Sequence, residues 1–475
     1  MTSSSTRFLH LFGSMFFLFA GYGLFLNSAG VRLAQMGVSN IAIGALNASF
    51  FVGAALSTVA AHRIVSRVGH IRSFGVFGAL FAMAALGHLM VNQLWAWGAL
   101  RAVLGFCYFS LLMVVESWFT ERSAPHKRVK VLALYNLVYY VAFTAGIGLL
   151  SLKLSSNHIF TLAAILVMAA MLPVGLTRMA EPDLPPRQRI SLPRLLSITP
   201  LALVGSFLGG LMVNGFFTMS SVFLLQQGMN LKQISFNLTL AMIGGFCAQL
   251  PLARLSNRYG RRNIILLCAV LTALVSVGVL LAMWQWPRQN PLPHYVAATV
   301  FGVTLFALYS LSLARANDVL PNNMNTVEVS RSLLFSYGLG SLVSPLILGV
   351  AMEQVYRYGF YGVYAASAMI LLLVAIQQKP VPQAKRSVFV GMPGDTSPVL
   401  ADLDPRNEAG ADEPFDEQLA QQHAEQVFDE AADERLPEND TGETDDAAPT
   451  AHAETAAPNA GTDADTAAED SPPKP

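Results

Sequence analysis

Acidic side chains are almost missing from the first 394 residues of this 475-residue chain. Glu116, Glu121, Glu181, Asp183, Asp318, Glu328 and Glu353 are the seven, against 27 Lys+Arg. The other 23 acids crowd into residues 395–475 beside Arg406, Arg435 and Lys474, so the zero formal charge sums a +20 body and a −20 tail. Cysteine is scarce too. Cys107, Cys247 and Cys268 all fall inside apolar runs; an odd number at that depth speaks against a disulfide framework and supplies no metal-ligand spacing. No G-x-x-x-x-G-K-[ST] phosphate loop occurs, which excludes an ATPase of the chain's own. No metal-ligand cluster or nucleophile–base spacing appears at depth, so a membrane-embedded enzyme is the weakest reading. No cofactor is expected. No carboxylate lies in the middle of an apolar run, which leaves no anionic pocket for an organic cation.

Long apolar runs are what the chain does have. Twelve are long enough to cross the roughly 30 Å hydrocarbon layer as helices: 8–29, 41–61, 73–91, 94–117, 131–151, 158–177, 200–225, 234–253, 264–284, 295–314, 331–352 and 360–377. The first lacks the basic start and small-residue cleavage site of a signal peptide, and eleven more follow it. An interrupting turn recurs 191 residues apart: Ser66-Arg67-Val68-Gly69-His70-Ile71-Arg72 and Asn257-Arg258-Tyr259-Gly260-Arg261-Arg262-Asn263. The same offset carries Phe8, where the first run begins, to Thr199, where an apolar run restarts. The expected fold is therefore an all-α integral membrane protein of twelve transmembrane helices in two pseudo-symmetric six-helix bundles, an organisation of secondary transporters.

Bases set the expected topology. With the N-terminus inside, 21 Lys+Arg fall in cytoplasmic segments and five, Arg32, Lys153, Lys232, Arg288 and Arg357, in the opposite loops. That asymmetry places both termini in the cytoplasm of a plasma (inner) membrane. Trp95 and Trp97 then open the fourth span at the outer face, and Trp118 closes it at the inner one, where interfacial tryptophan belongs. Residues 1–177 form the first bundle, 178–199 a proline-bearing linker, 200–378 the second bundle, and 379–475 an acidic cytoplasmic tail. The tail is too polar to bury a core and is expected to be largely disordered. Ser387–Arg406, its less acidic start, is expected to pack against the basic inner face.

The repeated turns resemble the loop signature of the major facilitator superfamily, roughly G-x-L-x-D-R-x-G-R-[RK], between helices two and three of each half. The second copy keeps Leu255, Arg258, Gly260, Arg261 and Arg262; the first keeps Arg67 and Gly69. Both depart at the acid, here Ser66 and Asn257. Arg101-Ala-Val-Leu-Gly105 resembles the R-x-x-x-G stretch of span four, and Gly338-Leu-Gly340 with Pro345 and Gly349 a kink motif of span eleven. Glu116-Ser117-Trp118, Val68-Gly69-His70-Ile71-Arg72 and Tyr309–Asp318 resemble the YcaD-like branch. The resemblance covers about residues 8–377. It implies solute movement by alternating access, with spans one, four, seven and ten around a central cavity, and names no substrate.

Arg101 is the costliest residue in the membrane part, about 9 Å inside its helix. Arginine at such depth faces the bundle interior or water and marks a pathway, or else ties helices together through carbonyls. On a 100° wheel Gly105 and Tyr108 share its face. Asn214, Thr218 and Ser221 make a polar stripe on span seven; Asn136 with Tyr140, and Tyr22 with Asn27, are further pathway candidates. Each is read first as interhelical hydrogen-bond glue, worth about 0.6 kcal/mol, and second as a ligand group. Gln249 and His88 stand likewise. Glu116 and Asp318 close spans four and ten at the inner face. They are expected to form gate locks, Glu116 with Arg67 or Arg72 and Asp318 with Arg258 or Arg261, with Gly69 and Gly260 as further gate candidates. Gly44, Gly53, Gly146 and Gly148 are expected at close helix contacts.

The expected function is secondary transport of a small solute, with a lean from Arg101 toward an anionic, zwitterionic or neutral one. Proton coupling would need Glu116, Asp318 or His88; facilitated diffusion needs none. The expected partners are that solute, protons if coupled, and the lipid bilayer, with no nucleic acid, and the chain is expected to be monomeric. The rival reading is a transporter-shaped sensor or scaffold that signals through its acidic tail.

Overall fold

In the computed structural model the chain forms twelve long helices among its described residues, 3–123, 127–152, 156–176, 196–286, 289–320, 326–387 and 389–404. They are α1 (Ser3–Gln35), α2 (Asn40–Val68), α3 (His70–Gly87), α4 (Leu94–Arg122), α5 (Arg128–Leu149), α6 (Ser156–Gly175), α7 (Pro200–Gln226), α8 (Leu231–Tyr259), α9 (Arg261–Gln285), α10 (Leu292–Asp318), α11 (Thr326–Gln354) and α12 (Gly359–Gln377). Each contains a stretch long and apolar enough to cross a bilayer, so this is a multi-pass membrane protein. Most of the linker expected at 178–199 and the tail from 405 lie outside the described residues.

The 191-residue offset governs the turns as well as the sequence. Among the described residues the positive-φ glycines are Gly37 (75°), Gly69 (93°), Gly228 (86°) and Gly260 (91°), two pairs at that spacing. Such φ values are left to glycine because a Cβ would clash. Ser39 and Asn230, again at that offset, cap α2 and α8. Ser39 Oγ accepts from Ala42 N at 3.3 Å, and Asn230 and Gln233 exchange two 3.0 Å bonds in a capping box. Each satisfies donors that a helix start leaves unpaired. At the repeated motif the helices run almost together: Gly69 alone separates α2 from α3, and Gly260 alone separates α8 from α9. A one-residue joint after a helix of 29 residues fixes the angle between neighbours sharply.

Packing repeats too. In the first half α1 lies on α5 and α6, α4 on α2 and α3, and α3 on α6; in the second α7 lies on α11 and α12, α10 on α8 and α9, and α9 on α12. Missing side chains allow these approaches. A Cβ on Gly53 or Gly105 would strike the carbonyls of Ala102 or Phe50 across the α2–α4 seam. Gly244 and Gly302 face those of Thr299 and Ala241 across α8–α10 in the same way. Gly44 and Gly146 also sit against a neighbouring carbonyl, as expected. Gly148 does not; a Cβ there meets open space.

The halves touch through α2–α11, α1–α7 and α5–α8. At the end remote from the repeated turns they are sealed. Gly44 abuts the Pro345 carbonyl and Gly349 the Asn40 carbonyl. Asn40 N donates to Glu353 Oε2 at 2.8 Å, Gln226 Nε2 to Asn40 Oδ1 at 2.8 Å, and Asn47 Nδ2 to the Thr218 carbonyl at 3.1 Å. At the turn end, residues 389–404 lie between the halves. The less acidic start of the tail, expected against the basic inner face, instead packs inside the bundle over its described residues.

Candidate functional site

Near the middle of α7, Asn214 is buried and donates through Nδ2 to Ser341 Oγ at 2.8 Å, Tyr337 OH at 3.3 Å and Asp395 Oδ1 at 2.9 Å. Tyr139 and Tyr337 stand close enough to the Asp395 carboxyl to act on it electrostatically. Three neutral polar side chains, on α5, α7 and α11, thus gather around one carboxyl group from both halves. Burial pushes that carboxyl up to about 6, while Asn214, Tyr337 and Tyr139 pull the other way. The mid-depth carboxylate missing from every span is thereby delivered by the tail.

The rest of the segment is fixed by polar anchors on four helices, α4, α5, α10 and α11. Asn136 Nδ2 donates to the Gly391 carbonyl at 2.9 Å. Ser310 Oγ donates to the Met392 carbonyl at 2.8 Å and accepts from Met392 N at 3.1 Å. Ser397 N donates to Glu116 Oε2 at 2.9 Å. Arg331 grips both carboxylate oxygens of Asp402, at 2.9 and 3.2 Å. That guanidinium opposes the burial that raises the Asp402 carboxyl. Val390, Met392, Val399, Leu400 and Leu403 are buried alongside.

Glu116 is not locked to the first turn. It is fully buried, accepting from Tyr135 OH at 2.5 Å through Oε1 as well as from Ser397 N. Arg67 and Arg72 are exposed. The helical face of Glu116 turns it inward, whereas the turn's arginines point outward at the helix ends. The second lock does form: Arg261 Nε stands 3.7 Å from Asp318 Oδ2. Its Nη1 donates to Ser256 and Asn257 and its Nη2 to the Ser387 carbonyl. Asp318 Oδ1 accepts from Ser387 N and Oγ at 2.8 and 2.9 Å. Arg258 is exposed, its guanidinium 5.4 Å from the Tyr259 ring centre.

Arg101 is fully buried, and none of its three guanidinium nitrogens has a hydrogen-bond partner among the described residues. Its guanidinium lies 5.7 Å from the Phe25 ring centre, with Tyr22 and His88 in electrostatic reach. Tyr22 stacks on Tyr108 at 3.9 Å and feels both Arg101 and Asp395, which links the arginine to the carboxyl site. The hydroxyls of Tyr22, Tyr108 and Ser221 have no hydrogen-bond partner among the described residues. Other candidates act as framework. Gly105 serves the α2–α4 seam; Thr218 Oγ1 and Asn27 Nδ2 bond carbonyls of their own helices at 2.6 and 2.8 Å. Tyr140 OH accepts from Gln249 at 3.0 Å between the halves. His88 Nδ1 lies 2.7 Å from the Ala84 carbonyl. Tyr135, Tyr139, Tyr337, Ser341 and Asp395 escaped the sequence reading. A Tyr135–Tyr139 pair four residues apart, on one helix face, was the available signal.

Two six-helix halves around a central polar site define a membrane transporter. The chain belongs to the major facilitator superfamily, whose profile matches residues 11–328. It is 25% identical over 359 residues to the uncharacterized MFS-type transporter YcaD of Salmonella newport (strain SL254), covering 74% of this chain and 91% of the relative. Among solved structures it is similar to the nucleoside transporter NupG, with a TM-score of 0.63 and 15% identity over 79% of this chain and 100% of that one. A bacterial homolog of the human lysosomal transporter Spinster, inward-facing and unoccupied, gives 0.59 and 12% over 79% and 96%. The chain is a secondary transporter, not an enzyme.

Proposed function

We propose that this chain moves a small solute by alternating access around the Tyr139–Asn214–Tyr337 site, the two halves rocking about their sealed end. The observation that carries the reading is the gathering of polar side chains from both halves around one buried carboxyl group, since a site that rocking exposes in turn must be shared by both. Arg101 supports the lean toward an anionic or zwitterionic solute. A buried guanidinium without hydrogen bonds is costly unless something compensates. Loop bases, 21 against five, support a sealed outer end, an inner end that carries the repeated turns, and cytoplasmic termini in an inner membrane. Glu116, buried beside Tyr135, is the proton-carrier candidate if transport is coupled.

A thermal-shift screen of anions, zwitterions and neutral solutes on the purified chain tests the reading, because binding to the native state raises apparent stability. A hit is followed into proteoliposomes. Arg101→Lys keeps the charge but loses the planar fork that grips oxyanions, and is expected to weaken an anionic hit at least tenfold. Unchanged affinity in a folded Arg101→Ala protein would remove the anionic lean. The sensor reading is favoured by the seated tail segment. Deleting 395–475 separates the two: a carrier still moves its solute without the tail, whereas a tail-signalling receptor loses its output.

A further inference from the structure

The segment 389–404 is a most unusual thing to find between the halves of a carrier, because everything it touches must move. It bonds α4 through Glu116 and α5 through Asn136 on one side. On the other it bonds α7, α10 and α11 through Asn214, Ser310 and Arg331. With the remote end sealed, rocking requires the turn end to close, and the segment fills the space into which it would close. Val390, Met392, Val399, Leu400 and Leu403 are buried, while polar groups at Gly391, Met392, Asp395, Ser397 and Asp402 are met by groups of the cavity wall. That is how a bound ligand is held, not how a loop drapes a surface.

Asp395 is the innermost group. Asn214 offers N–H donors, Tyr139 and Tyr337 offer hydroxyls, and among the described residues no cation is bonded to the carboxyl. Such a cradle suits a planar acceptor with two oxygens. Behind it lies Tyr22, within reach of both Asp395 and the unbonded Arg101.

We propose that residues 389–404 are a tethered occupant of the solute site, that Asp395 stands where the carboxyl group of a carboxylic-acid solute binds, and that the carrier is held shut until the segment leaves. This rests on the reading of that site as the transport site. The solute competes with the tail for Tyr139, Asn214 and Tyr337, so tail and solute exclude one another.

Two measurements on the full-length chain test it, in a background without the three native cysteines. Ser310→Cys with Met392→Cys joins positions whose native atoms are 2.8 and 3.1 Å apart. The pair is expected to cross-link on mild oxidation, and adding Asp395→Arg to cut the cross-linked fraction at least fivefold. No cross-link in monodisperse protein, or a fraction indifferent to Asp395→Arg, would overturn the tethered occupant. Should Asp395→Arg fail to give monodisperse protein, Asp402→Ala, which removes the Arg331 anchor, replaces it with the same expectation. In the released variant, succinate is expected to raise the melting temperature by several degrees and succinamide not to, while the parent responds to neither. No response to succinate, or an equal response to succinamide, overturns the carboxyl site. Both readouts register seating and binding without flux. A released variant that binds succinate yet moves no solute in proteoliposomes would sink the transport reading and leave the occupied site standing.

Discussion

Two arginines are buried as deeply as the apolar core, and they are kept in opposite ways. Arg261, 1% exposed, sits at the joint between α8 and α9 with Ser256, Asn257, Ser387 and Asp318 around its guanidinium. Arg101, 0% exposed, has an aromatic ring and no hydrogen bond among the described residues. A satisfied charge holds structure together, and its loss strands the partner. An unsatisfied one costs stability. The contrast extends to the repeat. At the first joint the position equivalent to Arg261 is His70, which lies buried with its ring 5.6 Å from Trp118. One half joins its helices by ion pairing and the other by ring packing.

The largest effect should separate the two arginines. Arg261→Ala leaves Asp318 buried without its cation, a loss of about 3 kcal/mol for a broken buried pair. Arg101→Ala removes an uncompensated charge and should leave stability unchanged or raised. Denaturant unfolding in detergent checks both, and equal losses would erase the distinction drawn above. A double-mutant cycle sharpens it: Arg261 with Asp318 should couple by about 1–3 kcal/mol, whereas Arg67 with Glu116 should add within about 0.5 kcal/mol.

Next in size is the pH dependence of tail seating. The Asp395 carboxyl rises from 3.8 free to about 6 seated, so the seated form binds its proton more tightly. Seating is then strongest in acid, weakens as pH rises from about 4 through about 6, and levels off above, by up to about a hundredfold in all. Tyr22 of α1, Tyr108 of α4, Tyr135, Tyr139 and Tyr140 of α5 and Tyr337 of α11 all feel that carboxyl. Their phenols do not ionise in this range. Glu116 on α4 touches the segment through Ser397, so Asp395→Asn is the control that isolates the aspartate. The 310–392 cross-link yield, followed from pH 4.5 to 8, is expected to fall in the parent and to stay flatter in Asp395→Asn.

The fold was legible because lipid leaves the chain few choices. Twelve apolar runs, a basic bias and one repeated turn suffice, and the structure lengthened the helices without adding any. The Gly37–Gly228 and Ser39–Asn230 pairs show that the 191-residue repeat was readable further than the arginine motif alone suggests. Arg101 and Asn214 were legible as polar residues at apolar depth. Tyr139 and Tyr337 were not, since a tyrosine in a membrane helix is as easily packing as site. Asp395 was hidden by its neighbours. Composition judges a window, and one carboxyl at the edge of a 23-acid tail carries no mark of being drawn into the bundle. Glu116 was assigned a distant arginine because charge pairs are easier to infer than a hydroxyl on the next helix.

The smallest effect concerns the two joints, and it asks whether the halves are as different there as their arginines imply. Gly69 and Gly260 share φ near 90°, so a Cβ strains both backbones by roughly 1 kcal/mol. Beyond that strain they diverge. A Cβ at Gly260 comes within 3.1 Å of the Arg386 guanidinium, which donates to the Asn257 carbonyl at 2.6 Å and to the Arg258 carbonyl at 3.1 Å. Arg386 immediately precedes Ser387, the residue that caps Asp318. Gly260→Ala should therefore cost more than Gly69→Ala and should also lower the 310–392 cross-link yield, because it disturbs the point where the seated segment is moored. Gly69→Ala should leave that yield alone. Equal effects on stability and on cross-linking would mean that the joint in the second half is only a joint, and that the mooring of the tail lies elsewhere.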